Sequence, residues 1–307
     1  MDEGRDMGSR LLDLPGPHYS FLGLPPSVEI LKSARAVILP VPYEGTTTFK
    51  TGTREGPRAI LAASRELELF DEETATEAYR FGIATLGELE VTVSSPREMI
   101  ERVRLAGESI LEAGKIPVLL GGEHLLSFGM IEAVSTRFPD VTVLHLDAHA
   151  DLREEYQGSR YSNACVMHLA AQHVRLVQAG IRAITREEVE FIGEKQIPCF
   201  YAYQLHQSPN LWQEIPRLLG PRVYVSIDLD AFDPGIMPAV GTPEPGGLGW
   251  YEVLGLLRDV AERSEIIGFD VMELSPIPQM VAPDLLAARL VYKLLTYIFM
   301  DNESPPC

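Results

Sequence analysis

The chain has 307 residues, of which 46% are hydrophobic and 23% charged, a composition typical of a globular protein and not of a disordered one. Its 44 acidic residues outnumber the 26 basic residues and give a net charge of -18, which argues against a nucleic-acid partner because such a surface repels phosphates. The acidic N-terminus does not predict a signal peptide. The apolar stretch 285–300 does not predict a membrane span, because Arg289 and Lys293 interrupt it. We therefore expect a cytoplasmic protein.

Short apolar runs alternate with amphipathic stretches after a proline-rich start. Residues 1–35 contain four prolines and no sustained periodicity, so we predict an irregular N-terminal arm followed by one α/β domain over residues 36–307. Strands are predicted at 36–41, 116–120, 141–146, 179–183, 199–202, 222–227 and 265–271. Helices are predicted at 57–69, 96–113, 162–173, 186–195, 250–263 and 283–300, with a further helix that ends at residue 138.

This alternation predicts the α/β fold class, with a single doubly wound domain, a mostly parallel sheet and helices on both faces. The apolar runs IPVLL at 116–120 and VYVSI at 223–227 suit strands that are buried on both faces. In such sheets ligands bind at the carboxyl ends of the strands. Three clusters of histidine and aspartate residues follow predicted strands in this sequence, so we expect a site at that edge.

The first two clusters are GGEH and DAHAD. In GGEH two glycines let the chain turn sharply and place His124 above the sheet edge, although such a turn is common and weak by itself. In DAHAD the residues Asp147, His149 and Asp151 are spaced by two, so in extended geometry they point to the same side. Capping aspartates at a helix N-terminus would explain either carboxylate but not the histidine, and we therefore predict a metal site.

The third cluster is SIDLDAFDP. Turn chemistry could account for Asp230 and Asp233, but burial of Asp228 between apolar neighbours is costly unless a cation compensates it. Four carboxylates and two imidazoles together suit Mn(II) or a similar metal and disfavour structural zinc. Six ligands suffice for two ions if some aspartates bridge, and a two-metal site can hold a bridging hydroxide as the nucleophile for hydrolysis.

GGEH, DAHAD and SIDLDAFDP, in this order and spacing, resemble the motifs of the ureohydrolases, the family of arginase and agmatinase. Residues 46–71 resemble the N-terminal signature of agmatinase. GTPEPGGLGW at 241–250 and FDVMELSP at 269–276 resemble the substrate-side loops of agmatinase rather than arginase. The resemblance covers essentially the whole chain. It implies the arginase-like fold and metal-dependent hydrolysis of a guanidino compound to urea and an amine, most simply agmatine to putrescine.

The resemblance also implies two Mn²⁺ ions per chain, with Ni²⁺ or Co²⁺ as alternatives. The implied ligands are His124 and Asp151 for one ion, His149 and Asp230 for the other, and Asp147 and Asp228 for both. Asp151 would in addition orient the attacking hydroxide and pass on its proton. Glu273 matches the glutamate that holds the guanidinium through paired, charge-assisted hydrogen bonds. The implied partners are a small cationic guanidino substrate and further copies of the chain in a trimer or hexamer, without nucleic acid or membrane.

Two residues depart from the family pattern. Asn163 stands where the family usually has a histidine near the leaving amine, and Leu125 stands where it has a serine. Asn163, a candidate catalytic and substrate-binding residue, cannot titrate. Two alternatives therefore stay open: another guanidino substrate, such as an N-substituted agmatine, guanidinobutyrate or arginine, or a weakly active binding or regulatory protein. His145 is predicted to support Asp147 or to be a buried structural residue.

Overall fold

The computed structural model describes residues 19–25 and 27–300, which contain one eight-stranded sheet. Its strands are β1 (Ala36–Val41), β2 (Ile83–Thr85), β3 (Ile116–Gly121), β4 (Thr142–Leu146), β5 (Arg175–Ile181), β6 (Cys199–Tyr201), β7 (Arg222–Asp228) and β8 (Glu265–Met272). The strands lie in the order β2-β1-β3-β8-β7-β4-β5-β6, and every neighbouring pair is parallel.

Within the same residues, ten α-helices cover the two faces of the sheet. They are α1 (Val28–Ser33), α2 (Gly56–Ser64), α3 (Pro96–Glu112), α4 (Leu126–Arg137), α5 (Val166–Ala170), α6 (Arg186–Lys195), α7 (Ala202–Gln207), α8 (Ile215–Leu218), α9 (Trp250–Arg263) and α10 (Ala282–Phe299). Ile38 of β1 belongs to the core that also contains α2, α9 and α10, whereas its neighbour Leu39 belongs to the core beneath α3, α4 and α5. Successive side chains thus enter opposite layers, as a strand buried on both faces requires.

The predicted α/β class with a doubly wound, parallel sheet is confirmed. The structure adds β2, α7 and α8, which are three to six residues long and too short to leave a periodic signal in the sequence. The helix predicted at 162–173 is a 3₁₀ turn at Asn163–Cys165 followed by the five residues of α5. The helix predicted at 57–69 ends at Ser64, and β5 begins four residues before its predicted start.

The predicted arm is described only in part, because residues 1–18 and residue 26 lie outside the described residues, as do residues 301–307 of the predicted domain. The remainder contains α1, which the sequence analysis did not predict, and Ser27 caps this helix by accepting a hydrogen bond from the Ile30 N–H at 3.0 Å. Phe21 is fully buried in the core. The boundary between arm and domain stays a prediction. Among the described helices, none is both long and apolar enough to cross a membrane.

The strand order brings four strand ends together in the middle of the sheet. β3, β8, β7 and β4 are consecutive neighbours there, although they are far apart in the chain. Since all are parallel, the segments that follow them leave the sheet at the same edge. These segments contain the three histidine and aspartate clusters and Glu273, so the topology places all of them side by side.

A buried ion cluster anchors α10 to the loop after α2. The Lys293 ammonium donates to both carboxylate oxygens of Asp71, at 2.9 and 3.2 Å, and to Glu73 at 2.5 Å. The Tyr297 hydroxyl donates to the same glutamate at 2.7 Å. Asp71 is fully buried and Lys293 is 4% exposed, so each depends on the other for compensation of its charge.

We expect Lys293→Met to lower the free energy of unfolding by about 3 kcal/mol, because the buried Asp71 carboxylate would lose its cation. Urea denaturation measures the change. Lys195→Met on α6 removes the same charge from an exposed position, where the ammonium lies 5.7 Å from the centre of the Phe191 ring, and should cost at most about 1 kcal/mol. Equal effects of the two substitutions would show that the ion cluster does not stabilise the fold.

Candidate metal centre

The four central strand ends bring together every residue that the sequence analysis assigned to a metal. His124 follows β3, the DAHAD segment follows β4, and Asp228 and Asp230 lie at the end of β7. Their donor atoms form two groups that share Asp147. The first group is His124, His145, Asp147 and Asp151, and the second is Asp147, His149 and Asp230. The groups differ from the predicted set in two ways: the first contains His145, and neither contains Asp228, whose Oδ2 atom nevertheless lies 3.2 Å from His124 Nδ1.

Three carboxylates converge on the Nδ1 atom of His124. The distances from this atom are 3.1 Å to Asp147 Oδ2, 3.2 Å to Asp228 Oδ2 and 3.4 Å to Asp151 Oδ2. Nδ1 is buried and has no hydrogen-bond partner. A buried imidazole nitrogen without a partner, surrounded by acidic oxygens, fits a position for a metal ion.

Asp147 joins this group to a second one. Its Oδ2 atom faces His124, whereas its Oδ1 atom lies 3.5 Å from His149 Nδ1. His149 Nδ1 also lies 2.9 Å from Asp230 Oδ2. The carboxylate of Asp147 thus faces donor atoms of both groups, whereas Asp228 approaches His124, so the contact of Asp228 with both ions stays a prediction. Carboxylate oxygens combined with imidazole nitrogens in both groups suit two Mn²⁺ or similar ions, and the residues present fit such a pair.

Hydrogen bonds behind the cluster select the tautomers of its histidines. Ser226 donates its hydroxyl proton to Asp270 at 2.9 Å and so accepts from His124 Nε2, also at 2.9 Å. The proton of neutral His124 then lies on Nε2, and Nδ1 keeps its lone pair for a metal. The sequence analysis missed both supporting residues. Two sequence features could have identified them: Asp270 is a carboxylate inside an apolar strand, and Ser226 precedes Asp228 by two residues and so points to the same side of its strand.

His145 is fully buried and supports Asp147, so both descriptions predicted for it hold. Its Nε2 atom lies 2.9 Å from Asp147 Oδ2. Its Nδ1 atom lies 2.9 Å from the amide nitrogen of Gln178, which also donates to the Ala150 carbonyl at 2.7 Å. Because the amide donates to Nδ1, the ring proton lies on Nε2 and points to Asp147. This arrangement makes His145 a support for the carboxylate rather than a free metal ligand.

The charges of the cluster shift the pKa values of its members in the metal-free protein. Burial, reinforced by the negative charge of Asp147, raises the pKa of Asp151 to about 7. Burial by itself would lower the pKa of His149, but the Asp230 carboxylate beside it outweighs that effect and raises the value to about 12. Both groups therefore carry protons at mildly acidic pH. Asp151 also has a φ of 53°, an uncommon conformation for a residue other than glycine.

Glu273 lies beside the cluster at the end of β8, with a φ of 67°. Its Oε1 atom accepts hydrogen bonds from the His124 N–H at 2.7 Å and from the Asn163 side-chain amide at 3.2 Å. Its Oε2 atom accepts none from the described part of the chain. Burial, together with the charge of Glu123, raises the pKa of Glu273 to about 8. Oε1 thus connects Glu273 to His124 and Asn163, and Oε2 is available to accept hydrogen bonds from a ligand.

Asn163 is held in one orientation by three neighbours. Its side-chain oxygen accepts from the Leu125 N–H at 3.2 Å, so its amide nitrogen points to Glu273, and its backbone N–H donates to the Thr46 hydroxyl at 3.3 Å. Glu123 accepts from the Thr46 N–H at 2.6 Å and thereby fixes the segment around Thr46. Leu125 itself is fully buried, and its side chain packs into the core. Thr46 and Glu123 are further site residues that the sequence analysis did not single out.

A cavity of about 320 Å³ opens above the cluster. Asp151, Asp228, Asp230 and Glu273 lie on its floor together with Asn163. Its walls come from three loops and from the first turn of α6. The loops contribute Thr47 to Lys50, Arg153, Tyr156, Gly241, Thr242 and Glu244, and α6 contributes Glu188. The volume suits a slender organic cation, and the many carboxylates favour one.

Comparisons with known proteins agree with this geometry. The arginase family profile matches residues 34–296. An N(1)-aminopropylagmatine ureohydrolase of Synechocystis sp. is 39% identical over 272 residues, which cover 86% of this chain and 89% of that protein. A protein of the same name from Thermus thermophilus is 42% identical over 262 residues, which cover 85% and 89%. The solved structure of the agmatine ureohydrolase of Thermoplasma volcanium has a TM-score of 0.81 at 30% identity, covering 88% of this chain and 91% of that one.

We expect the affinity of the cluster for Mn²⁺ to fall at least about tenfold between pH 8 and pH 6. The pKa of Asp151 is raised to about 7, so its protonated fraction grows as the pH falls through 7, and a metal must displace that proton. His149, whose pKa is raised to about 12, is protonated at both pH values, so displacement of its proton lowers the affinity further as the pH falls. Chelator competition at the two pH values measures the change. Equal affinity at both pH values would mean that metal binding displaces no proton from the site.

Proposed function

Since the chain belongs to the arginase family and is an agmatinase-like ureohydrolase, we propose that its substrate is N(1)-aminopropylagmatine, which it hydrolyses to urea and the corresponding triamine. The proposal corresponds to the N-substituted agmatine that the sequence analysis kept as an alternative. The names of the two relatives at 39% and 42% identity support it. The single structural observation that carries it is the cavity, whose lining combines the buried cluster and Glu273 with a further acidic residue, Glu244.

Agmatine is the second candidate substrate. The similarity to the solved agmatine ureohydrolase favours it, as do the agmatinase-like loops at 241–250 and 269–276. A weakly active binding or regulatory protein is disfavoured, because such a protein has no need of a complete buried cluster of carboxylates and imidazoles. Assembly into a trimer or hexamer and a cytoplasmic location stay predictions from the sequence.

We assign two Mn²⁺ ions to the cluster, with Ni²⁺ or Co²⁺ as alternatives. The proposed ligands are His124, Asp147, His149, Asp151, Asp228 and Asp230. Bound divalent cations would lower the pKa of water and supply a nucleophile at neutral pH. Among the ligands, Asp147 faces both groups and is the proposed bridge. Asp151 is proposed to orient the nucleophile and to accept its proton.

Glu273 is the proposed acceptor for the guanidinium. Its Oε2 atom forms no hydrogen bond with the described residues, and the neighbouring Gly241 has no side chain that would cover it. A planar guanidinium can donate two parallel hydrogen bonds to a carboxylate, and the positive charge would keep Glu273 ionised although burial raises its pKa to about 8. Asn163 is proposed to hold Glu273 in place and to contact the leaving amine by hydrogen bonding, because its amide cannot deliver a proton.

A urea-release assay tests the proposed function. The purified protein is loaded with Mn²⁺, Ni²⁺ or Co²⁺ and supplied with N(1)-aminopropylagmatine, agmatine, guanidinobutyrate or arginine. We expect kcat/KM to be at least about tenfold higher for N(1)-aminopropylagmatine than for agmatine, because an additional ammonium adds a charge-assisted contact. Asp147→Ala, which removes the shared carboxylate, should bind less metal and release no urea. A preference for agmatine would establish the second candidate, and no urea from any compound would refute the enzyme.

Asn163→Asp should lower kcat/KM about 10- to 100-fold without loss of bound metal. The substitution preserves shape but replaces the amide that donates to Glu273 with an oxygen that repels it, so the guanidinium acceptor would be displaced or protonated. Steady-state kinetics and metal analysis measure the two effects. Asn210→Asp makes the same change at an exposed position and should have no effect. Unchanged activity of Asn163→Asp would show that the contact with Glu273 is not needed.

A further inference from the structure

The loop at 241–249 forms the outer wall of the cavity and presents Glu244 to it. Pro243 and Pro245 flank this residue and restrict the backbone on both sides. The far end of the loop is held by Asp233, whose Oδ2 atom accepts from the N–H groups of Gly246 and Gly247, each at 3.0 Å. Glu244 is therefore carried by a well-anchored backbone and not by a free surface loop.

Arg182 anchors the same loop to the metal cluster. Its guanidinium donates to the Glu244 carbonyl oxygen from Nε at 3.2 Å and from Nη2 at 2.9 Å. It also donates to the carbonyl oxygens of Asp230 at 2.6 Å and of Gly180 at 3.0 Å. Because all these partners are carbonyl groups, Arg182 sets the distance between Glu244 and the Asp230 turn without forming an ion pair with the Glu244 carboxylate.

Glu244 differs from the other acidic residues of the cavity in having no partner. Glu188 accepts from the N–H groups of Leu152 at 2.9 Å and Thr185 at 2.8 Å, and the remaining carboxylates belong to the cluster or to Glu273. Within residues 19–25 and 27–300, the half-buried carboxylate of Glu244 forms neither a hydrogen bond nor an ion pair. A half-buried carboxylate without a partner, on an anchored loop that lines the cavity, is suited to bind a cationic end of a ligand.

We propose that Glu244 is a specificity-determining residue that binds the distal ammonium of the substrate while the guanidinium end lies at the metal cluster. The inference deepens the proposed function and rests on it for the identity of the ligand. An ammonium has three donors and suits a single carboxylate, whereas the planar guanidinium suits the paired geometry offered by Glu273. The two carboxylates would thus select a molecule by the spacing between its guanidinium and its terminal ammonium.

Glu244→Gln tests the proposal, because it keeps the shape of the side chain and removes its charge. We expect KM for N(1)-aminopropylagmatine to rise about tenfold, with kcat unchanged. KM for butylguanidine, which has no distal ammonium, should not change. Glu155→Gln removes a charge from an exposed position near the cavity without lining it and should leave both KM values unchanged. Equal increases for both substrates, or no increase for either, would overturn the proposal.

A binding measurement separates this inference from the proposed function. Calorimetry with spermidine, a triamine without a guanidinium, reports on the ammonium site in the metal-loaded protein whether or not urea is formed. We expect about tenfold weaker binding to Glu244→Gln than to the unaltered protein or Glu155→Gln. If no guanidino compound yields urea but spermidine binding depends on Glu244, the proposed ureohydrolase function is refuted and the proposed ammonium site is supported. If urea forms but neither KM nor spermidine binding depends on Glu244, the proposed ammonium site is refuted and the proposed function is supported.

Discussion

The burial of several carboxylates at one edge of the sheet is the constraint on which the rest of the molecule depends. Asp147, Asp151, Asp228 and Asp230 are at most 8% exposed, and they lie close enough to repel one another. Such an arrangement is stable only when cations or protons compensate the charges. The parallel sheet brings the carboxylates together, because four adjacent strands end at the same edge and a short polar segment follows each of them. Helices on both faces keep the strands beneath these segments dry.

A layer of hydrogen bonds behind the cluster turns this concentration of charge into a defined site. The contact of Ser226 with Asp270 leaves the lone pair of His124 directed at the cluster, and the contact of Gln178 with His145 directs a proton toward Asp147. The same residue types without these partners could rotate or bind protons in several ways. Orientation by neighbours is therefore as important to the chemistry of the site as the identity of the donors.

The substrate side of the site is assembled from segments that are distant in the chain. Glu273 is placed by the backbone of His124 and by Asn163, and Asn163 is in turn held by Thr46. On the opposite wall, Arg182 holds the loop that carries Glu244 against the turn of Asp230. The carboxylates proposed for the guanidinium and for the distal ammonium are thus both positioned relative to the same metal cluster.

The sequence by itself determined the α/β class, most of the long strands and helices, and the histidines and aspartates of the cluster, because periodic apolar runs and spacings of two residues are local properties. Short elements such as β2 and α1 were not predicted, because three to six residues are too few to show a hydrophobic periodicity. Only the tertiary structure decided that Ser226 and Asp270 orient His124, that Asn163 holds Glu273, and that the Glu244 carboxylate has no partner in the described chain. Those relations join residues about 40 to 110 positions apart, and the packing of the sheet and loops, rather than any local pattern, brings them within hydrogen-bonding distance.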